Sequence, residues 1–192
     1  EEPLSPDAWE DISSTDPFVA LLGRNAEAAK TRVFIAWDDE ALYILAKMDD
    51  ADIQAVQTEH DSMLWAEDCF GIILSPDGRE CFELAVNPLG TTADRLAAPP
   101  GEPAPADWEP SGFSRAVDLR GMGNASDVDA GWTASLRIPF DALGGTPKPG
   151  DAWRLQIYRF DAGRLKEAEV STWSPSPGVH EAEAFGELFF AE

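Results

Sequence analysis

Cationic side chains are scarce in this sequence: 14 Lys and Arg stand against 36 Asp and Glu, a formal charge of −22. Such a surface repels phosphate backbones and anionic lipid, which excludes nucleic acid as a partner and argues against direct membrane insertion. No run approaches the roughly 18 apolar residues of a spanning helix. The two cysteines, Cys69 and Cys81, are too few for a disulfide scaffold and lack the paired spacing of a zinc site. Gly-rich phosphate loops, a Cys-x-x-Cys-His haem attachment and a Gly-x-Ser-x-Gly elbow are all missing. With only Met48, Met63, Met122, His60 and His180 as axial ligands, a haem-carrying redox subunit is the weakest reading. Acids abound, but no two stand in an apolar setting that would split their pKa values as a glycosidase requires. The expectation is therefore a protein that is not an enzyme.

What is present is alternation of period two. "TRVFIAWDD" puts Val33, Ile35 and Trp37 on one face, and "ALYILAKM" follows an acidic turn, which makes a hairpin. A long polar connection then leads into "MLWAEDCFGIILSPDGRECFELAVNPLG", a second hairpin. "GWTASLRIPFDAL", "AWRLQIYRFDA" and the closing "FGELFFAE" are further strands, the first running into Pro139 and a short helical turn. Strands recurring with turn signals and little helix indicate an all-β fold, a two-sheet antiparallel β-sandwich of immunoglobulin-like or jelly-roll-like character. The length suits one domain spanning residues 1–192. "AAPPGEPAPADWEPSG", with Pro99, Pro100, Pro103, Pro105 and Pro110, reads as an extended surface loop within that domain.

The second hairpin carries the sharpest expectations. Ser75-Pro76-Asp77-Gly78 suggests a three-residue bulged turn, which sets Leu74 opposite Glu80, Ile73 opposite Cys81, Gly71 opposite Glu83 and Cys69 opposite Ala85. Phe70, Ile72 and Leu74 then share a core face with Phe82, Leu84 and Val86. The other face, with Cys69, Gly71, Ile73, Cys81, Glu83 and Ala85, is small and mixed, suited to a flat ligand or to burial beneath the proline loop. The cysteines would stand about 13 Å apart along the strands, so both are expected as free thiols.

The ordered set of Trp9, "TRVFIAWDDEALYILAKMDD", "WAEDCFGIILSPDG", "CFELAVNPLGTTAD", "GWTASLRIPFDAL", "WRLQIYRF" and "STWSP" before "FGELFF" resembles the family 9 carbohydrate-binding modules and related family-9-like extracytoplasmic domains. That resemblance implies a β-sandwich exported from the cytoplasm, with structural calcium in some members and two tryptophans clamping a terminal sugar. Those tryptophans map onto Trp65 and Trp173. Trp9, Trp37, Trp132 and Trp153 read as core, and Trp108 is left open. The family's polar pair falls on Gly71 and Glu83, so its hydrogen bonds to sugar hydroxyls are rebuilt or lost. Glu83, Asp61, Glu67, Asp68, Asn87, Arg95 and Arg159 are the candidate replacements, with His60 and His180 read as solvated. Asp49, Asp50 and Asp52 crowd one strand end, which is either a hydrated acidic turn or a calcium site.

Two functions follow. The first is a non-catalytic carbohydrate- or glycan-binding module. The second is an accessory or structural subunit of an extracytoplasmic protein complex, for which the proline-rich loop would be a stiff docking element. The start at "EEPLSPDAW", without Met, fits an exported product whose signal peptide has been removed.

Overall fold

The computed structural model of the chain describes residues 6–21, 31–97, 108–124, 128–162 and 168–191. Its strands, in chain order, are β1 (Val19–Ala20), β2 (Thr31–Trp37), β3 (Ala41–Met48), β4 (Cys69–Ser75), β5 (Cys81–Val86), β6 (Thr92–Ala97), β7 (Ser114–Arg120), β8 (Gly131–Pro139), β9 (Ala152–Asp161), β10 (Glu169–Thr172) and β11 (Gly186–Phe189). They form two antiparallel sheets packed as a sandwich. The larger runs β1-β10-β9-β4-β5-β6, with β11 added on β9, and the smaller runs β2-β3-β8-β7. Among the described residues, helix is confined to short 3-10 turns.

The period-two pattern explains the core. Leu42, Ile44, Ala46 and Met48 of β3 and Trp132, Ala134, Leu136 and Ile138 of β8 meet Phe70, Ile72, Leu74, Leu84, Leu155 and Ile157 from the larger sheet. Each position lies one residue in two along its strand, so the intervening side chains point outward. On the smaller sheet the outward residues Ala41, Tyr43 and Leu45 are covered by Trp9. Trp132 and Trp153 are buried, and Trp37 packs edge-on against Phe140 and Phe190. Trp108, left open by the sequence, also joins the core: its ring meets Phe82 at 5.2 Å and its indole N–H donates to the Ala142 carbonyl. Pro99, Pro100, Pro103 and Pro105 lie outside the described residues.

The register of the β4–β5 hairpin differs from expectation by two residues. Phe70 faces Val86, Gly71 faces Ala85, Ile72 faces Leu84, Ile73 faces Glu83 and Leu74 faces Phe82. Asp77 is the cause. Its Oδ1 accepts from the Arg79 and Glu80 amides at 2.8 and 3.2 Å, which holds a wider loop than the three-residue turn, with Gly78 at φ 73°. A slip of two keeps every side chain on its face. The assignment of faces therefore survives, while Gly71 and Glu83 no longer oppose each other. The cysteines move further out of step, to roughly 20 Å along the strands, and both are free thiols.

Candidate functional site

On the outer face of the larger sheet lies a cavity of about 470 Å³. Its floor comes from three adjacent strands: Tyr158 and Phe160 of β9, Glu83 and Ala85 of β5, and Ala93, Asp94 and Arg95 of β6. Asp61 and Trp65 wall one side, and Val179 and His180 wall it from the segment before β11. Small residues at Ala85 and Ala93, directly paired across the ladder, make the depression possible.

Trp65 sits on a 3-10 turn, Leu64–Ala66, whose neighbouring Leu64 is fully buried as the anchor. The indole itself is 58% exposed, so it is not a core ring. The polar part of the site centres on Glu83. It pairs across the ladder with Arg95, accepts from the Tyr158 hydroxyl at 2.7 Å, and meets His180 Nε2 at 3.0 Å. Burial alone would raise its carboxyl. The hydrogen bonds and charges of His180, Tyr158 and Arg95 outweigh that and hold it below the ordinary glutamate range, so Glu83 is an anion. Gly71 matters for a steric reason. A Cβ there would lie 2.1 Å from the Tyr158 ring, so the glycine is the space into which that ring settles. The phenol therefore fills the space beside Gly71 and donates its hydrogen bond to Glu83.

No family model matches the sequence, and no curated protein matches it. Among solved structures, a candidate carbohydrate-binding protein from Bacteroides uniformis superposes with a TM-score of 0.82 at 20% identity, covering 96% of this chain and 90% of that one. A family 9 carbohydrate-binding module from Caldicellulosiruptor kristjanssonii, in complex with glucose, superposes with a TM-score of 0.72 at 16% identity, covering 100% and 91%. Its cellotriose complex gives 0.71 at 16% identity, covering 99% and 88%. The fold is that of a family 9 carbohydrate-binding module.

Within this family-9-like fold, the structure sorts the expected residues into two groups. Trp65, Glu83, Asp61 and Arg95 come together around the cavity. Trp173 does not join them. Its amide donates to the Ile157 carbonyl, and its ring packs against the inter-sheet core and the backbone of Gly186, where a Cβ would lie 2.4 Å from it. Glu67, Asp68 and Asn87 are buried and hold loops instead. Glu67 accepts from the Val56 and Gln57 amides and from Asn87 Nδ2, while Asn87 Oδ1 accepts from Leu89 and Thr91. Asp68 accepts from the Gln54 and Ala162 amides at 2.6 and 2.7 Å. Backbone amides of a long connection need acceptors, and these acids supply them. Arg159 points to the core side of β9, fully buried. Tyr158, Phe160, Asp94, Val179 and the cavity role of His180 were not foreseen. The signal was the outward pair Tyr158 and Phe160 in "AWRLQIYRFDA", aromatic where a solvated sheet face would be polar.

The three acids expected at a calcium site also part company. Asp49 pairs with Arg120 at 3.1 Å, and Asp52 accepts from Gln54 Nε2 at 2.7 Å. Asp50 turns inward, where its carboxylate converges with those of Asp68 and Asp161. A cation is already there: Arg159 Nη2 lies 2.8 Å from Asp50 and 3.2 Å from Asp161. The residues present thus fit a guanidinium-centred cluster, and the Asp49, Asp50 and Asp52 trio does not form a calcium cage.

Burial, and then the Asp50 charge, push the Asp68 carboxyl up to about 8. It is neutral in the folded chain at pH 7 and ionised when unfolded, so folding takes up a proton. This contribution is fully present below the unfolded pKa near 4 and is lost as pH rises through about 8. Urea titrations in chelator should show stability falling from pH 5.5 to pH 8, by at most about 1.4 kcal/mol per pH unit. Asp68→Asn should flatten that slope. A profile rising over the same interval would show that Asp68 is ionised in the fold.

Proposed function

We infer that the chain is a non-catalytic carbohydrate-binding module that seats a sugar ring in the outer-face cavity. The observation that carries this is the exposed Trp65 beside a cavity whose floor joins aromatic rings to a Glu83–Arg95–His180 cluster. Sugars present C–H faces that stack on indole and hydroxyls that need charged or amide partners, and both are met here. The solved structures of the same fold include modules in complex with glucose and cellotriose, which supports the same ligand class. The platform is Trp65 with Tyr158 and Phe160 beneath, in place of a two-tryptophan clamp. Polysaccharide is met outside the cytoplasm, and that is where we place its action.

A glycan array on the isolated chain, with glucose and cello-oligosaccharides included, identifies the ligand, and Trp65→Ala tests the site. An exposed aromatic wall of a small site is worth about 2 kcal/mol, so affinity should fall roughly thirtyfold. The melting temperature should hardly move, because the ring contributes little to the core. Unchanged affinity in Trp65→Ala, or an array without signal, overturns the reading.

A further inference from the structure

At the rim of the cavity the geometry points to a binding site for a zinc-class divalent metal, formed by His60, Asp61, Asp94 and Glu109. The Nε2 of His60 lies 3.2 Å from Asp94 Oδ1, 3.5 Å from Glu109 Oε1 and 3.6 Å from Asp61 Oδ2. Donors around one tetrahedral zinc, each about 2.0 to 2.2 Å from the metal, stand ~3.3 Å from one another. His60 Nε2 therefore already stands at the ligand-to-ligand spacing of a common ion from one carboxylate oxygen of each of the three acids. One atom each from His60, Asp61 and Glu109 also lies within 4.8 Å of the others.

Two further features separate this cluster from an ordinary acidic patch. His60 Nδ1 lies 2.9 Å from the Thr92 carbonyl, which can only accept, so Nδ1 carries a proton. The carbonyl thereby orients the ring with Nε2 toward the carboxylates, which is how ligand histidines are held. Independently, the Asp94 side chain is only 3% exposed, and its Oδ2 is buried with no hydrogen-bond partner. A buried carboxylate oxygen left in that state is costly unless a cation completes it. Imidazole with carboxylates selects zinc-class metals, whereas calcium takes oxygen ligands alone. The competing arrangement is a doubly protonated His60 held among the three acids without metal.

The test titrates the chelator-stripped chain with Zn²⁺ by calorimetry at pH 7.5, then with Co²⁺ followed by visible absorption. One equivalent should bind in a saturable phase distinct from the weak uptake by surface carboxylates, and bound Co²⁺ should give the absorption of a low-coordinate nitrogen–oxygen site. His60→Ala and Glu109→Gln, both at exposed positions, should each weaken that phase at least about tenfold. Their melting temperatures in chelator should match the parent. A parent chain without a saturable phase, or a phase unchanged in either variant, overturns the proposal. No saccharide enters the titration, so its failure leaves the sugar reading untouched.

Discussion

Replacing Arg159 by Met should destabilise the fold by about 3 to 5 kcal/mol, the cost of removing one partner from a buried ionic cluster. Arg159 occupies an inward position of β9, in alternation with Leu155 and Ile157, and none of it reaches solvent. Its Nη1 donates to the Asp49 carbonyl at 2.9 Å, while Nη2 meets Asp50 and Asp161. Met keeps the stem and the volume but deletes the charge, leaving the carboxylates of Asp50 and Asp161 without their cation beside the neutral Asp68. Against a usual total of 5 to 15 kcal/mol, that loss takes a large share of the stability. The cause can be separated from packing. Arg159→Met combined with Asp50→Asn and Asp161→Asn should regain much of the loss, since replacing a whole buried cluster by neutral groups is often close to neutral. If the triple variant is as unstable as the single one, packing rather than charge explains the effect. Urea midpoints for the three chains decide it.

The second large effect is expected at Gly71. Alanine there places a methyl 2.1 Å from the Tyr158 ring, and the neighbouring strands leave the backbone of central β4 no room to retreat. The ring must swing away, which uncovers Ile73 and Cys69 and takes the hydroxyl from Glu83. Overpacking of this kind costs ~1 to 3 kcal/mol, and the cavity floor changes with it, so sugar affinity should fall as well. In a Tyr158→Ala background the obstruction is gone. There Gly71→Ala should cost almost nothing, and the double-mutant cycle should show strong coupling. Equal costs of Gly71→Ala in both backgrounds would mean that the glycine serves the backbone and not the ring.

The sandwich was legible because its strands alternate cleanly: Leu42, Ile44, Ala46 and Met48, or Trp132, Ala134, Leu136 and Ile138, can lie only on a buried face. The hairpin register was not legible to the residue, because one side chain, Asp77, decides the loop length through bonds to its own backbone. At the site, Trp65 could be read as exposed because it stands among acids in a loop with no alternation to bury it. Trp173 stands in a similar stretch, yet it continues β10 into the core side. Alternation in a strand as short as β10 is too brief to show this. Glu67, Asp68 and Asn87 looked like ligands for the same reason that they are scaffold. A polar residue beside a binding loop and one that ties the loop down have the same composition, and only the acceptor's orientation distinguishes them.

The place of β9 at the middle of the larger sheet has a consequence for how the chain is made. Its partner β4 spans Cys69–Ser75, while β9 itself spans Ala152–Asp161. At ribosomal rates of about 5 to 20 residues per second, β4 and β5 emerge roughly 4 to 17 seconds before the strand that closes them. During that interval β4 is an open edge backed by Phe70, Ile72 and Leu74, a template for pairing with any neighbouring chain. The smaller sheet shares the delay, since β8 is also distant from β3 in sequence. The charge of −22 then has a role before any ligand is met: it keeps growing chains apart while their sheets are half built.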